Sequence, residues 1–306
     1  MICNICPHSC DIPEGQIGKC LVRKNIDGRI KLTHYGRIST MAVEPIEKRP
    51  LFHFFPGKNF LSTGLYGCNF LCNFCINFKV SQTAEEGVYY SPENLVQLSI
   101  DKNTHGIAFT YNEPTVHYEY LMDVGRLAKK NGQEVVIKSN GFVNSHILED
   151  ISRVCRAWNI DVKGDEKAYN DICGGSLAPV MESIKFLAEK SHLEISYLVV
   201  ADQVDNLNFH RSMAYKISQL SKDIPIHLLY CYPVYKMTQI YKKSALLPIY
   251  DIFAERMKYV YMSNTYDSYK KVSTKCSSCD SILIDRYPSF ISKLSCCGKK
   301  IAGIFS

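Results

Sequence analysis

Gly67-Cys68-Asn69-Phe70-Leu71-Cys72-Asn73-Phe74-Cys75 is a C-x3-C-x2-C loop with an aromatic residue immediately before its last cysteine. Three thiolates at this spacing can hold three corners of a [4Fe–4S] cube and leave the fourth iron open. A fully capped cluster mainly carries electrons, whereas an open iron is a place for a ligand and so for chemistry. A zinc knuckle or a plain electron-transfer cluster would call for a fourth cysteine nearby, and none stands there.

Outward from the loop the chain alternates between short apolar runs and amphipathic stretches. Residues 60–65, 106–110, 134–138, 158–162, 193–200, 226–230 and 259–262 read as strands. Residues 116–130, 145–154, 177–190, 208–220 and 245–257 read as helices between them. Ser91-Pro92-Glu93 supplies a cap and a proline for a further helix, and Asn131-Gly132 supplies a stop. Such alternation calls for a parallel sheet with helices outside, in too few units for an eightfold barrel. The expected class is α/β, a partial (β/α)6 TIM-like barrel with small cysteine-rich N- and C-terminal extensions. Its expected divisions are a cysteine-rich extension at 1–57, the core at 58–265 and a zinc-ribbon-like segment at 266–306.

In barrels of this kind the active site gathers at the C-terminal strand ends. The chemistry-bearing residues sit there. The cysteine loop follows the first strand, Tyr111-Asn112-Glu113-Pro114 the second and Ser139-Asn140-Gly141 the third. Asp161 and Lys163 follow the fourth, and His227 lies in the sixth.

Composition bounds the rest. With 306 residues, 46% hydrophobic and 22% charged, the chain is long enough for one large core plus appendages. No run approaches the roughly 20 apolar residues of a membrane span, and the start lacks the basic and apolar regions of a signal peptide. The expected location is therefore cytoplasmic, with no membrane partner. Fourteen cysteines in a reducing compartment point to metal rather than disulfides. They fall into Cys3, Cys6, Cys10 and Cys20, the central loop, and Cys276, Cys279, Cys296 and Cys297. Cys155, Cys173 and Cys231 stand alone and read as small buried hydrophobes. The net charge of +6 reads as a lysine-rich surface, with no dense basic run among aromatics to suggest nucleic acid.

The central loop resembles that of the radical S-adenosylmethionine (SAM) enzymes, in the pyruvate formate-lyase activating-enzyme-like branch. The likeness extends through TYNEPT at 110–115, SNGF at 139–142 and DVK at 161–163. PIEKRPLFHFFPG at 45–57, GCNFLCNFCINFKVSQ and PVYKM resemble the radical SAM member of the so-called AmmeMemoRadiSam group, so the likeness spans nearly the whole chain. It implies a [4Fe–4S] cluster on Cys68, Cys72 and Cys75 whose open iron takes SAM. It further implies reductive cleavage to a 5′-deoxyadenosyl radical and hydrogen abstraction from a peptide, protein or small metabolite. A flavodoxin- or ferredoxin-like donor would supply the electron. By the same likeness Phe74 lies along the adenine, Asn112 presents backbone to the methionyl amine, and Glu113 supports that turn. Ser139 approaches the sulfonium or carboxylate side, Lys163 the carboxylate, and His227 the ribose or adenine, with Asn140 and Asp161 also among the cofactor-binding residues. A glycyl-radical-enzyme activase is the alternative within the class, and a non-catalytic iron–sulfur or zinc protein the alternative outside it.

Two departures from the pattern carry weight. Lys138 and Asn159 stand where activases tend to place ligands for a monovalent cation, with Asp161 retained; a lysine ammonium paired with Asp161 would take the cation's place. Tyr230 stands where the nearest group usually has arginine, which argues for a different substrate. At the termini, zinc stands ahead of an auxiliary cluster for Cys3, Cys6, Cys10 and Cys20. Since consecutive side chains diverge, one of Cys296 and Cys297 is expected to stand aside from a site with Cys276 and Cys279.

Overall fold

The computed structural model describes residues 1–265, 272–286, 291–293 and 295–305. An eight-stranded sheet runs through it: β1 (Thr40–Pro45), β2 (Asn59–Gly64), β3 (Gly106–Thr110), β4 (Glu134–Ser139), β5 (Ala157–Val162), β6 (His192–Val199), β7 (Ile226–Tyr230) and β8 (Val260–Met262). Strands lie in chain order, β2 to β8 are parallel, and β1 pairs antiparallel with β2 from Thr40↔Gly64 to Pro45↔Asn59. The ladder among the described residues ends at β1 and β8 without joining them, which leaves the barrel partial. Among the described residues, six helices of eight residues or more connect the parallel strands: α1 (Pro92–Asp101), α2 (Tyr118–Lys130), α3 (Ser145–Ser152), α4 (Leu177–Lys190), α5 (Leu207–Leu220) and α6 (Leu246–Ala254). The α/β class and the (β/α)6 count therefore match the expectation.

Local chemistry accounts for these elements. Every residue of β3 is buried, as a parallel strand covered on both faces should be. The Ser91 hydroxyl accepts from Asn94 N–H at 3.2 Å, and Pro92 opens α1. In α2 the residues Tyr120, Leu121, Val124 and Ala128 turn inward, and Gly132 at φ +69° follows the helix end.

One element departs from the reading above. Residues 40–45, assigned to the N-terminal extension, form β1 and extend the core sheet. Their sequence, Thr-Met-Ala-Val-Glu-Pro, is half-exposed along an edge and so lacks the continuous apolar run that marked the parallel strands. The following stretch crosses the N-terminal ends of the strands and buries Phe52, Phe54 and Phe55 there. Glu194 Oε2 and Oε1 accept the backbone N–H groups of Phe52 and His53 at 2.9 and 2.7 Å. The chain's last described residues pair with this stretch, Phe55 N–H donating to Ile304 O at 2.7 Å. The boundary expected at 265/266 adjoins residues 266–271, which lie outside the described residues. Beyond them, Thr274–Lys275, Ile282–Asp285 and Ile291–Ser292 form a small antiparallel sheet, and Ser295–Cys296 pairs with Lys299–Lys300.

Candidate active site

The cysteine loop leaves the end of β2 through Gly67, whose φ of +76° favours glycine. A Cβ there would also lie 2.2 Å from the carbonyl oxygen of Cys20, so no other residue fits. The loop is then fastened on two sides. Leu71 and Asn73 donate their N–H groups to Cys173 O and Ile172 O at 2.9 and 3.2 Å, and Lys236 N–H donates to Asn73 O at 2.9 Å. Thus the PVYKM segment covers the loop, with Tyr235 stacked on Phe78 at 4.4 Å between centroids.

Cys68, Cys72 and Cys75 line one cavity of about 230 Å³ at the C-terminal strand ends. Polar hydrogens already aim at the sulfurs: Phe70 N–H lies 3.4 Å and Asn140 Nδ2 3.8 Å from Cys68 Sγ, and Ser81 Oγ lies 3.1 Å from Cys75 Sγ. Burial, then the Glu113 carboxylate, pushes the Cys68 thiol up; burial does the same at Cys75, and a hydrogen bond with Cys173 at Cys72. A cation is what would convert these thiols to thiolates.

Glu113 is buried at the centre of the adjoining strand ends. Its Oε1 accepts from Thr115 N–H, Thr115 Oγ1 and Ser139 Oγ at 3.1, 2.8 and 2.8 Å, and its Oε2 from Asn140 N–H at 2.7 Å. Burial raises its pKa while these bonds pull the other way. The net clamps the end of β3 to the end of β4. Asn112 ties both to the loop, accepting from Leu65 N–H at 3.2 Å and donating to Gly67 O at 2.9 Å. Tyr111, before it, holds φ +72°, an uncommon conformation for a bulky residue, with the Arg49 guanidinium 4.6 Å over its ring.

Opposite stands a charge triad. Asp161 Oδ1 receives Lys138 Nζ at 2.6 Å and its Oδ2 receives Lys163 Nζ at 2.7 Å. Burial disfavours the carboxylate, yet the two ammoniums overcome it and hold the pKa near 2. Lys138 also donates to Asn159 Oδ1 and Ser196 Oγ at 2.7 and 3.0 Å, so its three hydrogens are all used. Asn159 belongs with this triad, as the sequence pattern suggested.

Of the expected cofactor contacts, Phe74, Asn112, Glu113, Ser139, Asn140, Asp161 and Lys163 line the cavity. His227 does not. It is the second residue of β7, near the N-terminal end of the strand, wholly buried, with Nε2 donating to Glu194 Oε2 at 2.7 Å and Nδ1 accepting from Ser263 Oγ at 2.8 Å. Both ring nitrogens are used at the closed end of the barrel, and the cavity instead meets β7 through Leu229 and Tyr230. Sequence reasoning passed over Asn69, whose amide donates to Phe142 O and whose Oδ1 accepts from Asn140 Nδ2, both at 2.8 Å. Its place inside the cysteine loop was the only available signal. Gln82 was missed as well; its amide holds Cys72 O at 3.2 Å.

The terminal cysteines differ from one another. Cys276, Cys279, Cys296 and Cys297 bring their sulfurs within 4.8 Å of one another. Sγ–Sγ distances are 3.7 Å for Cys276–Cys297 and 3.3 Å for Cys279–Cys296. The expectation that one adjacent cysteine stands aside is not met, because Cys297 takes φ +41° and turns its side chain back beside that of Cys296. Four thiols so disposed suit a tetrahedral zinc ion. Cys3, Cys6, Cys10 and Cys20 meet at a separate small cavity against the cysteine loop.

The arrangement has counterparts. The radical SAM superfamily profile matches residues 63–206. An uncharacterized protein of Methanocaldococcus jannaschii is 35% identical over 298 residues, covering 93% of this chain and 87% of its own. Pyruvate formate-lyase 1-activating enzyme of Escherichia coli is 23% identical over 222 residues, covering 66% of this chain and 88% of its own. Among solved structures, Streptococcus suis SuiB bound to precursor peptide SuiA superposes with a TM-score of 0.52 at 11% identity, over 70% of this chain and 50% of that one. The same protein bound to S-adenosylmethionine gives 0.50 at 13% identity, over 69% and 49%. A three-cysteine loop at the mouth of a partial α/β barrel, in a chain that shares both sequence and fold with these proteins, makes this chain a member of the radical SAM superfamily, in its activating-enzyme-like branch.

Proposed function

We propose that this chain is an enzyme that cleaves SAM reductively at a [4Fe–4S] cluster on Cys68, Cys72 and Cys75 and abstracts hydrogen from a peptide or protein substrate. The observation that carries the reading is that the three thiols and the Lys163 ammonium face one cavity. When bound, the cluster supplies one electron to the SAM sulfonium and so generates the 5′-deoxyadenosyl radical. The residues present fit both groups. The sulfurs of Cys68 and Cys75 have polar hydrogens aimed at them, and Lys163 offers a cation for the methionyl carboxylate. Asp161 orients Lys163, and Lys138 fixes Asp161 in the place of a metal cation. Glu113 holds Ser139 and Asn140 toward the cavity, Asn112 holds the turn that would meet the amine, and Phe74 forms the wall that would cover the adenine. His227 has no part in this assignment.

A peptide or protein substrate is supported by the activating-enzyme relative and by the peptide-bound SuiB fold. The wall formed by Leu198, Leu229, Tyr230 and Tyr232 is built of apolar and phenolic side chains, and the Tyr230 hydroxyl donates to Tyr241 O at 2.8 Å. That wall suits an uncharged part of the substrate, which favours a product other than the activases' partner. Its electron would come from a flavodoxin- or ferredoxin-like donor.

Anaerobic reconstitution with iron and sulfide, followed by dithionite and SAM, should yield 5′-deoxyadenosine, and Cys72→Ala should abolish it. A fully loaded cluster that makes none would end the enzyme reading. Continued production by Cys72→Ala would move the cluster elsewhere.

A further inference from the structure

Beyond residue 272 the chain returns to the closed end of the barrel and ties itself there on both sides of four cysteines. The Thr274 hydroxyl lies 2.8 Å from the Tyr261 hydroxyl, which donates to His53 Nε2 at 2.6 Å, and His53 Nδ1 donates to Ala302 O at 2.6 Å. Arg286 donates to Thr274 Oγ1 at 2.9 Å and to Phe52 O at 2.7 Å, with its guanidinium 4.2 Å over the Phe52 ring. Ile304 joins the crossing segment by backbone bonds, donating to His53 O at 2.8 Å and accepting from Phe55 N–H at 2.7 Å. Thr274, His53 and Phe54 are wholly buried as a result.

This covering segment has little core of its own. Among the described residues beyond 265, Leu283, Ile284 and Ile301 are the buried aliphatic side chains. They share one cluster with Cys276 and with Phe52, Tyr259 and Tyr261 of the barrel. Thr274–Lys275, Ile282–Asp285 and Ile291–Ser292 are strands of two to four residues. So small an apolar set does not fix a segment in one shape without a staple.

The four cysteines have the geometry of one. A tetrahedral ion with metal–sulfur bonds of roughly 2.3 Å sets its four sulfurs about 3.8 Å apart. The distances are 3.7 Å for Cys276–Cys297, 3.8 Å for Cys296–Cys297 and 3.3 Å for Cys279–Cys296, and all four sulfurs lie within 4.8 Å of one another. Two tight turns present them. Asp280 N–H donates to Cys276 O at 3.0 Å with Asp280 at φ +56°, and Cys297 and Gly298 hold φ +41° and +75°. The group contains neither imidazole nor carboxylate, and a closed set of four thiolates suits zinc.

We propose that Cys276, Cys279, Cys296 and Cys297 bind one zinc ion whose work is structural: it fixes the C-terminal segment as a plug over the closed end of the barrel. The four thiols release their protons to solvent on binding, and four protein ligands leave no coordination position open for chemistry. Two arms of chain leave the site, from Cys276 back to Thr274 and from Cys297 on to Ala302. Both lead to the hydrogen bonds that run through Tyr261 and His53, so losing the ion loosens both anchors together. Neither the ion nor its role depends on the radical chemistry proposed above.

The test compares the unaltered chain, produced with zinc in the medium, with Cys279→Ser/Cys297→Ser. Cys279 and Cys297 are exposed, so their replacement spares the packing around Cys276. The variant should hold about one zinc fewer per chain, and its Tm should fall by roughly 5 °C or more. The backbone N–H groups of Phe55 and Ile304 should exchange with deuterium at least about tenfold faster, while that of Leu71 in the cysteine loop keeps its protection. Equal zinc in the two proteins would overturn the site, and loss of one iron in place of zinc would overturn the choice of ion. Loss of zinc with unchanged exchange at Phe55 and Ile304 would overturn the plug. Should the variant precipitate, the unaltered chain stripped of zinc by a chelator and then resupplied decides. Exchange at Phe55 and Ile304 should quicken and then recover; exchange indifferent to zinc would overturn the plug.

Discussion

The two ends of the barrel each bury one glutamate that accepts four hydrogen bonds, and the environments set them to different work. Glu113, at the open end, is surrounded by two backbone N–H groups and two hydroxyls, all neutral. Glu194, at the closed end, takes two backbone N–H groups and the imidazoles of His192 and His227 at 2.9 and 2.7 Å. Burial raises the pKa of Glu113, whereas at Glu194 burial is outweighed by the two histidines and the pKa falls. One carboxylate shapes the cavity, and the other locks the crossing segment of residues 46–57 under the strands. A buried carboxylate in such a barrel is thus not by itself a mark of catalysis. Its strand end decides.

The sharpest way to break this contrast is Glu194→Ala, which strands four buried donors. We expect a loss of about 4 kcal/mol, read as a lower urea midpoint. The 5′-deoxyadenosine formed per intact cluster should be unchanged in the folded fraction. A fall in product without a fall in stability would place Glu194 in the chemistry. Asp161→Asn leaves Lys138 and Lys163 facing each other without their counter-charge. A loss of about 3 kcal/mol is expected, the low end for a broken pair because the triad is partly open to the cavity. Product should also fall by roughly tenfold or more as Lys163 loses its orientation. Unchanged product would remove Lys163 from the SAM assignment.

Acid should attack the closed end before the triad. His53 is wholly buried, and desolvation lowers its pKa from 6.5 to about 4. Between those values the unfolded chain binds more protons than the folded one, so stability is full above pH 6.5 and drains as pH falls toward 4. From pH 7 to pH 5 this amounts to about 2 kcal/mol, measurable as a falling Tm that His53→Gln should blunt. Asp161, with its pKa near 2, keeps its contribution until far lower pH. The mildest change is Glu113→Gln, which keeps shape but puts an amide NH2 against donors. About 1 kcal/mol of stability should be lost, together with a larger proportional loss of product. Equal effects on both would reduce Glu113 to a structural clamp.

Much of the scaffold was legible because its signals are local. All seven parallel strands were readable from short apolar runs, since a strand covered on both faces needs apolar residues throughout. Antiparallel β1 was not, because an edge strand with half-exposed residues has no such run. At the site, Glu113, Ser139, Asn140, Asp161 and Lys163 could be grouped by their places after successive strands. His227 could not be separated from them, because a strand of five residues reaches from the closed end to the mouth. Asn69 and Gln82 were hidden for another reason. Their roles are hydrogen bonds, across 73 residues for Asn69 to Phe142 and 10 for Gln82 to Cys72, at separations that follow no helical or strand period.

By itself, then, the sequence determined the cysteine loop, the strand–helix alternation and the order in which polar residues follow the strands. These depend on covalent spacing and on periodicity, which a chain carries with it. The tertiary structure alone decided that His227 points away from the mouth and that Cys296 and Cys297 turn the same way. It also brought the four C-terminal sulfurs within 4.8 Å of one another. Each of these depends on a backbone angle or a through-space distance, fixed only when remote segments pack together.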